Sequence, residues 1–445
     1  MNFSNCIKYS GYVAISQNSE YIAISKGNNV LIYLSKDLSL FKKYNFDSNI
    51  SQIIFSPNDE YILIGLYSQN KIILKHINDE NNNISITEEA FGISNSIFTP
   101  DNSYILIYNT ILNRIHVISL IDQEFINKYI YNPKFIDKGI CFDNNNFFLM
   151  ALAERKDVKD FIGIYYLGDF SLQCHFNVNT NDLENILFTK DNCYIIVYES
   201  LLESKIFIYS INGNLLMINE AYNNNNYLGI NNVIISPNGH FITASYYDNN
   251  VRIFNYMNFK LSCILKHNFE DIIKENKNNK YLNVLKENNF GNFEKIDSND
   301  LLNLNINNNN KNVFEESNIL EYSFDSNYLC VKLRNFNNIL YIWNINELKL
   351  LYIIIFNNKI NDFKWSPNEL ILIIGTNNNY QYLFNIINLI ILELNEENFN
   401  VNKIKWNNNG KNFILLDKYK LFIGFSNLNE NNEKENDINN NNNNN

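Results

Sequence analysis

The sequence predicts an all-β fold made of repeated units, because one short turn recurs at a nearly constant interval. Four of the five prolines lie in this turn, as Ser-Pro-Asn-Asp at 56–59, Thr-Pro-Asp-Asn at 99–102, Ser-Pro-Asn-Gly at 236–239 and Ser-Pro-Asn-Glu at 366–369. Weaker copies extend the series to nine positions, which are 17, 57, 100, 143, 190, 237, 324, 367 and 408. Seven of the eight steps are 40 to 47 residues long and one is 87. A period of about 40–45 residues with several short strands is typical of a β-propeller blade.

The runs inside one period have the length and composition of strands. In the second unit, apolar runs at 50–55, 61–66 and 71–77 are separated by Ser, Asn, Asp or Gly. The sixth unit shows four such runs, at 233–236, 241–247, 251–256 and 260–267. None of these runs has the ten to twelve residues of a typical helix. Each unit is therefore predicted to be a blade with inner, middle, third and outer strands.

The two ends of the chain predict how the propeller closes. The last unit supplies strands at 401–406, 413–416 and 419–425 but no fourth, while residues 3–9 form an apolar run before the first unit. Pairing the N-terminal run with the last blade removes two exposed sheet edges. We predict one nine-bladed, WD40-like ring over residues 1–426 that is closed by the N-terminal strand. The alternative is two incomplete propellers packed together.

The 87-residue step predicts an insertion at 268–317, between an outer strand and the next inner strand. The apolar residues at its start are spaced as in a short amphipathic helix, namely Phe269, Ile272, Ile273, Tyr281, Leu282 and Leu285. Ser298 is a candidate cap for a second segment. The insertion is either an expanded low-complexity loop or a partner-binding arm. Residues 427–445 are predicted to be a disordered, acidic, Asn-rich tail.

The composition of the chain limits which classes of partner and which cellular locations are expected. The formal charge is −11, which argues against direct nucleic acid binding because phosphate contacts need a concentrated basic face. The six cysteines show no paired spacing, so we expect reduced thiols in an intracellular protein. The chain start has no signal-peptide pattern. Its longest apolar run, at 348–356, is too short to cross a membrane.

The sequence contains no recognisable catalytic motif. Its five histidines are scattered without metal-ligand spacing, and no nucleophile elbow or phosphate loop is present. We therefore predict that the protein is not an enzyme and has no metal or cofactor. His267 follows an outer strand, where WD repeats carry a Gly-His pair, and a structural role is expected for it.

One segment contrasts with the Asn-rich background and is the candidate protein-binding site. Six of the seven residues at 154–160 are charged, between predicted strands at 147–153 and 161–166. The proposed contact residues are Glu154, Arg155, Lys156, Asp157, Lys159, Asp160 and Phe161. The charges either form a solvated, self-paired turn or contribute to a recognition surface, since interface hot spots favour Arg beside aromatic residues. In WD propellers a hairpin of this kind opens on the same face as the connection that holds the insertion, so the two are expected on one face.

Several blocks resemble one family of WD-repeat proteins. They are residues 1–4, 150–157 with 159–161, 175–176 with 179–183, 228–230, and the hairpin at 246–253 followed by an insertion at the same place. On these blocks the chain resembles the WD repeat-containing protein 8 family up to about residue 425, and Ala-Leu-Ala-Glu-Arg at 151–155 is the most specific block. Most WD dipeptides are lost, and Trp343-Asn344 is the nearest to one.

The resemblance implies a non-catalytic scaffold at the spindle pole or microtubule-organising centre. It implies binding to a coiled-coil microtubule-anchoring protein, with a minus-end-directed kinesin in some lineages, so that microtubule minus ends are tethered there. The implied location is the cytoplasm and cytoskeleton. The alternative is a translation- or RNA-associated propeller scaffold, which the nine-unit count suggests because nine-bladed rings occur in translation factors.

Overall fold

The structure is a computed structural model that describes residues 2–79, 81–120, 128–144, 148–199, 202–221, 229–276, 282–288, 292–297, 301, 317–378, 380–386, 389–394 and 399–425. The chain divides into two compact units. The first comprises Met1–Asp47 and Asn358–Asn445, and the second comprises Ser48–Asn357. The tail predicted at 427–445 lies outside the described residues.

Strands make up almost all of the regular structure in both units. Up to residue 199 they are β1 (Asn2–Phe3) and β2 (Ile7–Lys8); in blade 1, β3 (Val13–Ile15), β4 (Tyr21–Lys26), β5 (Asn29–Leu34) and β6 (Leu40–Asn45); in blade 2, β7 (Gln52–Phe55), β8 (Tyr61–Leu66), β9 (Lys71–His76) and β10 (Asn83–Thr87); in blade 3, β11 (Ile93–Phe98), β12 (Tyr104–Asn109), β13 (Arg114–Ser119) and β14 (Lys128–Tyr131); in blade 4, β15 (Ile140–Phe142), β16 (Leu149–Lys156), β17 (Lys159–Tyr166) and β18 (Ser171–Asn177); and the first two of blade 5, β19 (Leu183–Phe188) and β20 (Tyr194–Glu199).

The same pattern continues to the end of the described chain. The remaining elements are β21 (Lys205–Ser210) and β22 (Leu215–Glu220) of blade 5; in blade 6, β23 (Ile230–Ile235), β24 (Phe241–Tyr246), β25 (Val251–Asn255) and β26 (Leu261–Leu265); helix α1 (Phe269–Asn276); in blade 7, β27 (Asn283–Glu287), β28 (Phe293–Ile296), β29 (Ile319–Tyr322), β30 (Tyr328–Leu333), β31 (Phe336–Asn344) and β32 (Lys349–Ile355); in blade 8, β33 (Ile360–Trp365), β34 (Ile371–Thr376), β35 (Tyr380–Asn385) and β36 (Leu389–Glu393); and in blade 9, β37 (Lys403–Trp406), β38 (Asn412–Leu416) and β39 (Lys420–Phe425).

These strands form nine sheets, each built on an antiparallel series of consecutive strands. The predicted all-β, nine-bladed β-propeller is therefore confirmed. Blades 1, 8 and 9 belong to the first unit, and blades 2 to 7 to the second.

The recurring turn closes its hairpin through the hydroxyl of its first residue. In blade 2, the Ser56 hydroxyl accepts the Tyr61 N–H at 2.9 Å and donates to the Asn58 side-chain oxygen at 2.7 Å. Asp59 has a φ of 58°, a left-handed conformation that Asp and Asn tolerate better than most residues. The same two bonds are made at Ser16, Thr189, Ser236 and Ser323. This pattern explains why Ser or Thr recurs at the first turn position.

The turn also connects neighbouring blades of the second unit. The Asn58 N–H donates to the side-chain oxygen of Asn102, in the turn of blade 3, at 2.9 Å. In the same way, the Asn238 N–H donates to the Ser326 hydroxyl of blade 7 at 3.0 Å. The repeated turn is therefore part of the packing between blades as well as of each hairpin.

Middle strands read as continuous apolar runs because both of their faces are covered. All six residues of β12 are buried. Ile105 and Ile107 pack in a cluster with blade 2, whereas Leu106 and Tyr108 pack in a cluster with blade 4. Burying one such side chain contributes about 1.5–3 kcal/mol. Packing between blades therefore supplies the core of the unit.

The N-terminal closure is formed within the first unit, as predicted. Both β1 and β2 pair antiparallel with β39 in blade 9. Between them, the Ser4 N–H donates to the Ile423 carbonyl at 2.9 Å. The Phe3 ring lies edge-on to the rings of Phe413 and Phe422, with centroids 6.0 and 6.4 Å away. The first residues of the chain thus supply the outer strand that the last repeat lacks.

Most of the described part of the insertion is helix and strand, which differs from the expanded loop that was one of its two predicted alternatives. Helix α1 follows blade 6, β27 pairs in parallel with β32, and β28 pairs with β27, so blade 7 has six strands. The predicted amphipathic helix ends at Asn276. Leu285, which was expected to belong to it, lies in β27. Tyr281 and the candidate cap Ser298 lie outside the described residues. Parallel pairing with a strand about seventy residues later cannot be read from local periodicity.

His267 occupies a structural position between blades 6 and 7. It is fully buried, and its Nε2 accepts a hydrogen bond from Trp343 Nε1 at 3.1 Å. Its Nδ1 lies 3.1 Å from the Asn249 carbonyl, to which the neutral ring donates. Burial lowers the pKa of His267 from 6.5 to about 4, so the ring is neutral near pH 7.

Candidate functional site

The charged hairpin, residues 154–160, is formed by β16 and β17 in blade 4. Arg155 pairs in register with Asp160, and Lys156 with Lys159, so only Asp157 and Val158 lie outside the strands. The sequence predicts a longer turn between 147–153 and 161–166. The turn is shorter because backbone pairing continues through the charged residues, whose solvated side chains hide the strand pattern. Residue 147 lies outside the described residues.

Glu154 faces the protein rather than a partner. It is buried, its Oε1 accepts a hydrogen bond from the Tyr165 hydroxyl at 2.6 Å, and its Oε2 lies 3.1 Å from His175 Nε2. Burial, followed by the nearby Glu154 carboxylate, raises the pKa of Tyr165, which keeps the hydroxyl protonated as a donor. Phe161 stacks on the His175 ring at 5.1 Å. These contacts tie β16, β17 and β18 together.

Asp160 also belongs to an internal network. Only 1% of the residue is exposed, and its Oδ2 accepts hydrogen bonds from Lys134 Nζ at 2.9 Å and the Leu183 N–H at 2.7 Å. Lys134 Nζ also donates to Asp182 Oδ1 at 2.7 Å, and Arg155 Nη1 donates to the same oxygen at 2.6 Å. Burial alone would raise the pKa of Asp182, but the bonds from Lys134 and Arg155 hold it below its usual range. The network joins blade 4 to the connection that enters blade 5.

The structure therefore separates the seven proposed contact residues. Glu154 and Asp160 are buried, Arg155 is paired with Asp182, and Phe161 is half-buried on His175. The other three, at the end of the hairpin, are exposed: Lys156, Asp157 and Lys159. A role of the whole set in protein binding stays a prediction, and Lys156, Asp157 and Lys159 are its members that are accessible at the surface.

A pocket of about 550 Å³ lies beside the hairpin, between the outer strand of blade 3 and the face of blade 4. Its lining includes Tyr129, Tyr131, Glu154, Lys156, Leu172 and His175. Sequence analysis did not find this pocket, because its two walls come from different blades. The only sequence signal was the pair of alternating tyrosines at 129 and 131, on a strand too short to stand out.

The Tyr129 wall of this pocket is held in place from behind. The Arg114 guanidinium lies 3.9 Å from the centre of the Tyr129 ring, and the His116 ring is 4.7 Å away. His116 in turn contacts the buried Glu88 carboxylate. A smaller pocket of about 250 Å³ lies on this side of Tyr129. The Tyr129 ring is thus held in position by side chains of the neighbouring strand β13.

The described part of the chain is informative about metal-binding groups, membrane-spanning helices and disulfides. Within it, no group of three His, Cys, Asp or Glu side chains is placed to hold a metal ion. Its helix is too short and too polar to span a membrane. The six cysteines form no disulfide with one another.

Comparison with known sequences gives two matches to WD-repeat proteins. Residues 222–255 match the model of the WD domain, G-beta repeat. The chain is also 27% identical over 386 residues to WD repeat-containing protein WRAP73 of Mus musculus, and the alignment covers 82% of each chain. The matched repeat is the sixth unit, in which the strand pattern is clearest in the sequence. The more specific resemblance to the WD repeat-containing protein 8 family stays a prediction.

Comparison with solved structures supports the architecture. A crystal structure of the eukaryotic initiation factor superposes with a TM-score of 0.60, covering 87% of this chain and 89% of that one at 13% identity. At this identity the likeness concerns the fold alone. The chain is thus a WD40-type β-propeller, a fold of the protein-interaction scaffold type, and is similar in sequence to WD repeat-containing protein WRAP73 of Mus musculus.

Proposed function

We propose that this chain is a non-catalytic scaffold at the spindle pole or microtubule-organising centre. In this role it binds a coiled-coil anchoring protein, with a minus-end-directed kinesin as a further candidate, and so tethers microtubule minus ends. The main support for this proposal is the sequence similarity to a WD repeat-containing protein, which covers 82% of both chains and extends well beyond the single matched repeat. The blocks at 150–161 and 175–183, which resemble the WD repeat-containing protein 8 family, supply the finer role.

The geometry around the charged hairpin supports a binding rather than a catalytic role. Its buried carboxylates are used in contacts within and between blades, as Glu154 with Tyr165 and Asp160 with Lys134. Two of the three exposed contact residues, Lys156 and Lys159, are cations, and Lys156 lines a pocket with tyrosines in its wall. Tyrosine is enriched in protein interfaces.

Proximity labelling in dividing cells tests this proposal. The chain is fused to a biotin ligase, and ligase alone is the control for background labelling. We expect labelled proteins to be enriched in coiled-coil microtubule-anchoring proteins, and the fusion to localise as two polar dots in mitosis.

The alternative scaffold role gives a different result in the same experiment. Labelling dominated by ribosomal proteins, with co-sedimentation of the chain with ribosomes and no polar signal, contradicts the spindle-pole proposal. It favours a translation-associated propeller instead. The structural likeness to an initiation factor does not decide between them, because it rests on 13% identity.

A further inference from the structure

The end of the charged hairpin adopts an unfavourable backbone conformation. Asp157 and Val158 have φ values of 50° and 64°, as in the two-residue turns that usually contain Asn-Gly or Asp-Gly. A β-branched residue in this conformation costs about 1–3 kcal/mol. Val158 is 80% exposed, so its own burial does not offset that cost. The turn therefore presents an apolar side chain to solvent at the expense of local stability.

The two lysines behind this turn repel each other. Lys156 and Lys159 are directly paired across the hairpin, and both are exposed. Among the described residues neither forms an ion pair, whereas the neighbouring Arg155 is paired with Asp182. Like charges directly opposite each other destabilise a strand pair. The alternative of a self-paired turn therefore holds for Arg155 and Asp160 but not for these two lysines.

The pocket next to the lysines has an apolar wall and a second cation. Lys156 and Lys128 both line it, from blades 4 and 3. Tyr131 is 57% exposed and Leu172 is 53% exposed, and both face the same pocket, whose volume is in the range typical of ligand sites. Tyr129 is already fixed by Arg114, so little ordering is needed on binding.

We propose that the hairpin end and this pocket bind an acidic peptide segment of a partner protein. Carboxylates of the segment pair with Lys156 and Lys159, and a large apolar side chain between them enters the pocket against Tyr131 and Leu172. This inference rests on the proposed scaffold function and narrows the chemistry of its partner. A short peptide suits the site better than a nucleic acid, because the chain carries a formal charge of −11 and would repel a long polyanion.

Selection from a peptide library tests the inference without a known partner. Random peptides of about twelve residues, long enough for an extended binding motif, are displayed on phage and selected on the purified chain. We expect recovered peptides to be rich in Asp and Glu around one aromatic residue or leucine. Their affinity, measured by fluorescence anisotropy, is expected to fall at least about tenfold in Lys156→Glu/Lys159→Glu and with added salt.

Two further variants separate the charge and pocket contributions. Lys36→Glu/Lys43→Glu changes two exposed lysines of blade 1 and gives the same change in net charge, so it is expected to bind like wild type. Leu172→Ser weakens binding through the pocket while leaving the lysines in place. Because all these residues are exposed or half-buried at the surface, unchanged circular dichroism and melting curves verify that each variant folds.

Several outcomes overturn the inference. They are recovery of no binding peptides, recovery of peptides without acidic enrichment, equal binding by the Lys156→Glu/Lys159→Glu variant, or tighter lysine-dependent binding of polyuridylate RNA than of any peptide. The selection uses purified protein and the labelling uses cells, so the two proposals fail separately. Acidic peptides together with ribosomal labelling would keep this site and reject the spindle-pole role.

Discussion

At the scale of single residues, side-chain hydrogen bonds to backbone N–H groups hold the recurring turns together. The first residue of the recurring turn accepts one N–H and donates to the side chain two positions later, as Ser236 does with Phe241 and Asn238. A hydrogen bond of this kind contributes about 0.5–1.5 kcal/mol. Its repetition explains how a chain without a Trp-Asp dipeptide forms the same hairpin in successive blades.

His267 gives a pH-dependent prediction at this scale. Its pKa is about 4 in the folded chain and 6.5 when exposed, so the unfolded chain binds the proton more readily. Stability from the neutral ring is complete above pH 6.5 and is lost as the pH falls toward 4, by up to about 1.4 kcal/mol per pH unit. We expect His267→Gln to have a shallower decline of the urea midpoint over this range than wild type.

A histidine at the surface provides the control for this measurement. His240 is exposed, and His240→Gln is expected to keep the wild-type pH dependence. Equal slopes for wild type and His267→Gln would show that His267 does not contribute to acid destabilisation.

At the scale of elements, the N-terminal strands decide the stability of blade 9. Without β1 and β2, β39 becomes an open edge, and Phe413 and Phe422 lose the Phe3 ring. Open edges of this type invite non-native pairing. The closure was predictable because the last repeat lacks one strand and the chain start supplies one, which is a matter of counting repeats.

Deletion of residues 1–9 is expected to lower stability by about 2–4 kcal/mol, through the lost strand hydrogen bonds and the lost Phe3 burial. Differential scanning calorimetry measures this as a lower melting temperature. Deletion of residues 432–445 is the control, and the Asn-rich composition of this segment predicts an unchanged melting temperature. Indistinguishable melts for the two deletions would reject the closure.

At the scale of the whole molecule, the insertion is part of the second unit. Ile272, Val284 and Leu301 belong to a buried cluster that also contains residues of blades 6 and 7. Low-complexity composition favoured a loop over a partner-binding arm, because asparagine is the commonest residue of the segment. The apolar residues scattered among them nevertheless find partners in a core that surrounds them on several sides.

Substitutions at two positions of β27 test whether the insertion is packed on blade 7. Val284 is buried and Lys286 is exposed. Val284→Ala is expected to destabilise the chain by about 1–3 kcal/mol, because it leaves a cavity in the core. Lys286→Ala is expected to change the urea midpoint little. The same small effect for both variants would mean that the insertion is not packed on blade 7.

The sequence by itself determined the blade architecture and the N-terminal closure. Both depend on local information, which is the chemistry of a turn, the length of apolar runs and the spacing of copies. Strand ends were less well predicted, and the charged hairpin shows why: solvated lysines on paired strands look like a turn.

Only the tertiary structure decided which charged residues are available to a partner. Glu154 and Asp160 look equivalent to Lys156 and Lys159 in the sequence, but they are buried by Tyr165 and Lys134, which lie elsewhere in the chain. The pocket likewise needs Tyr131 from one blade and Leu172 from the next. The physical reason is that burial and ion pairing are set by neighbours on other strands and in other blades, which no local pattern records.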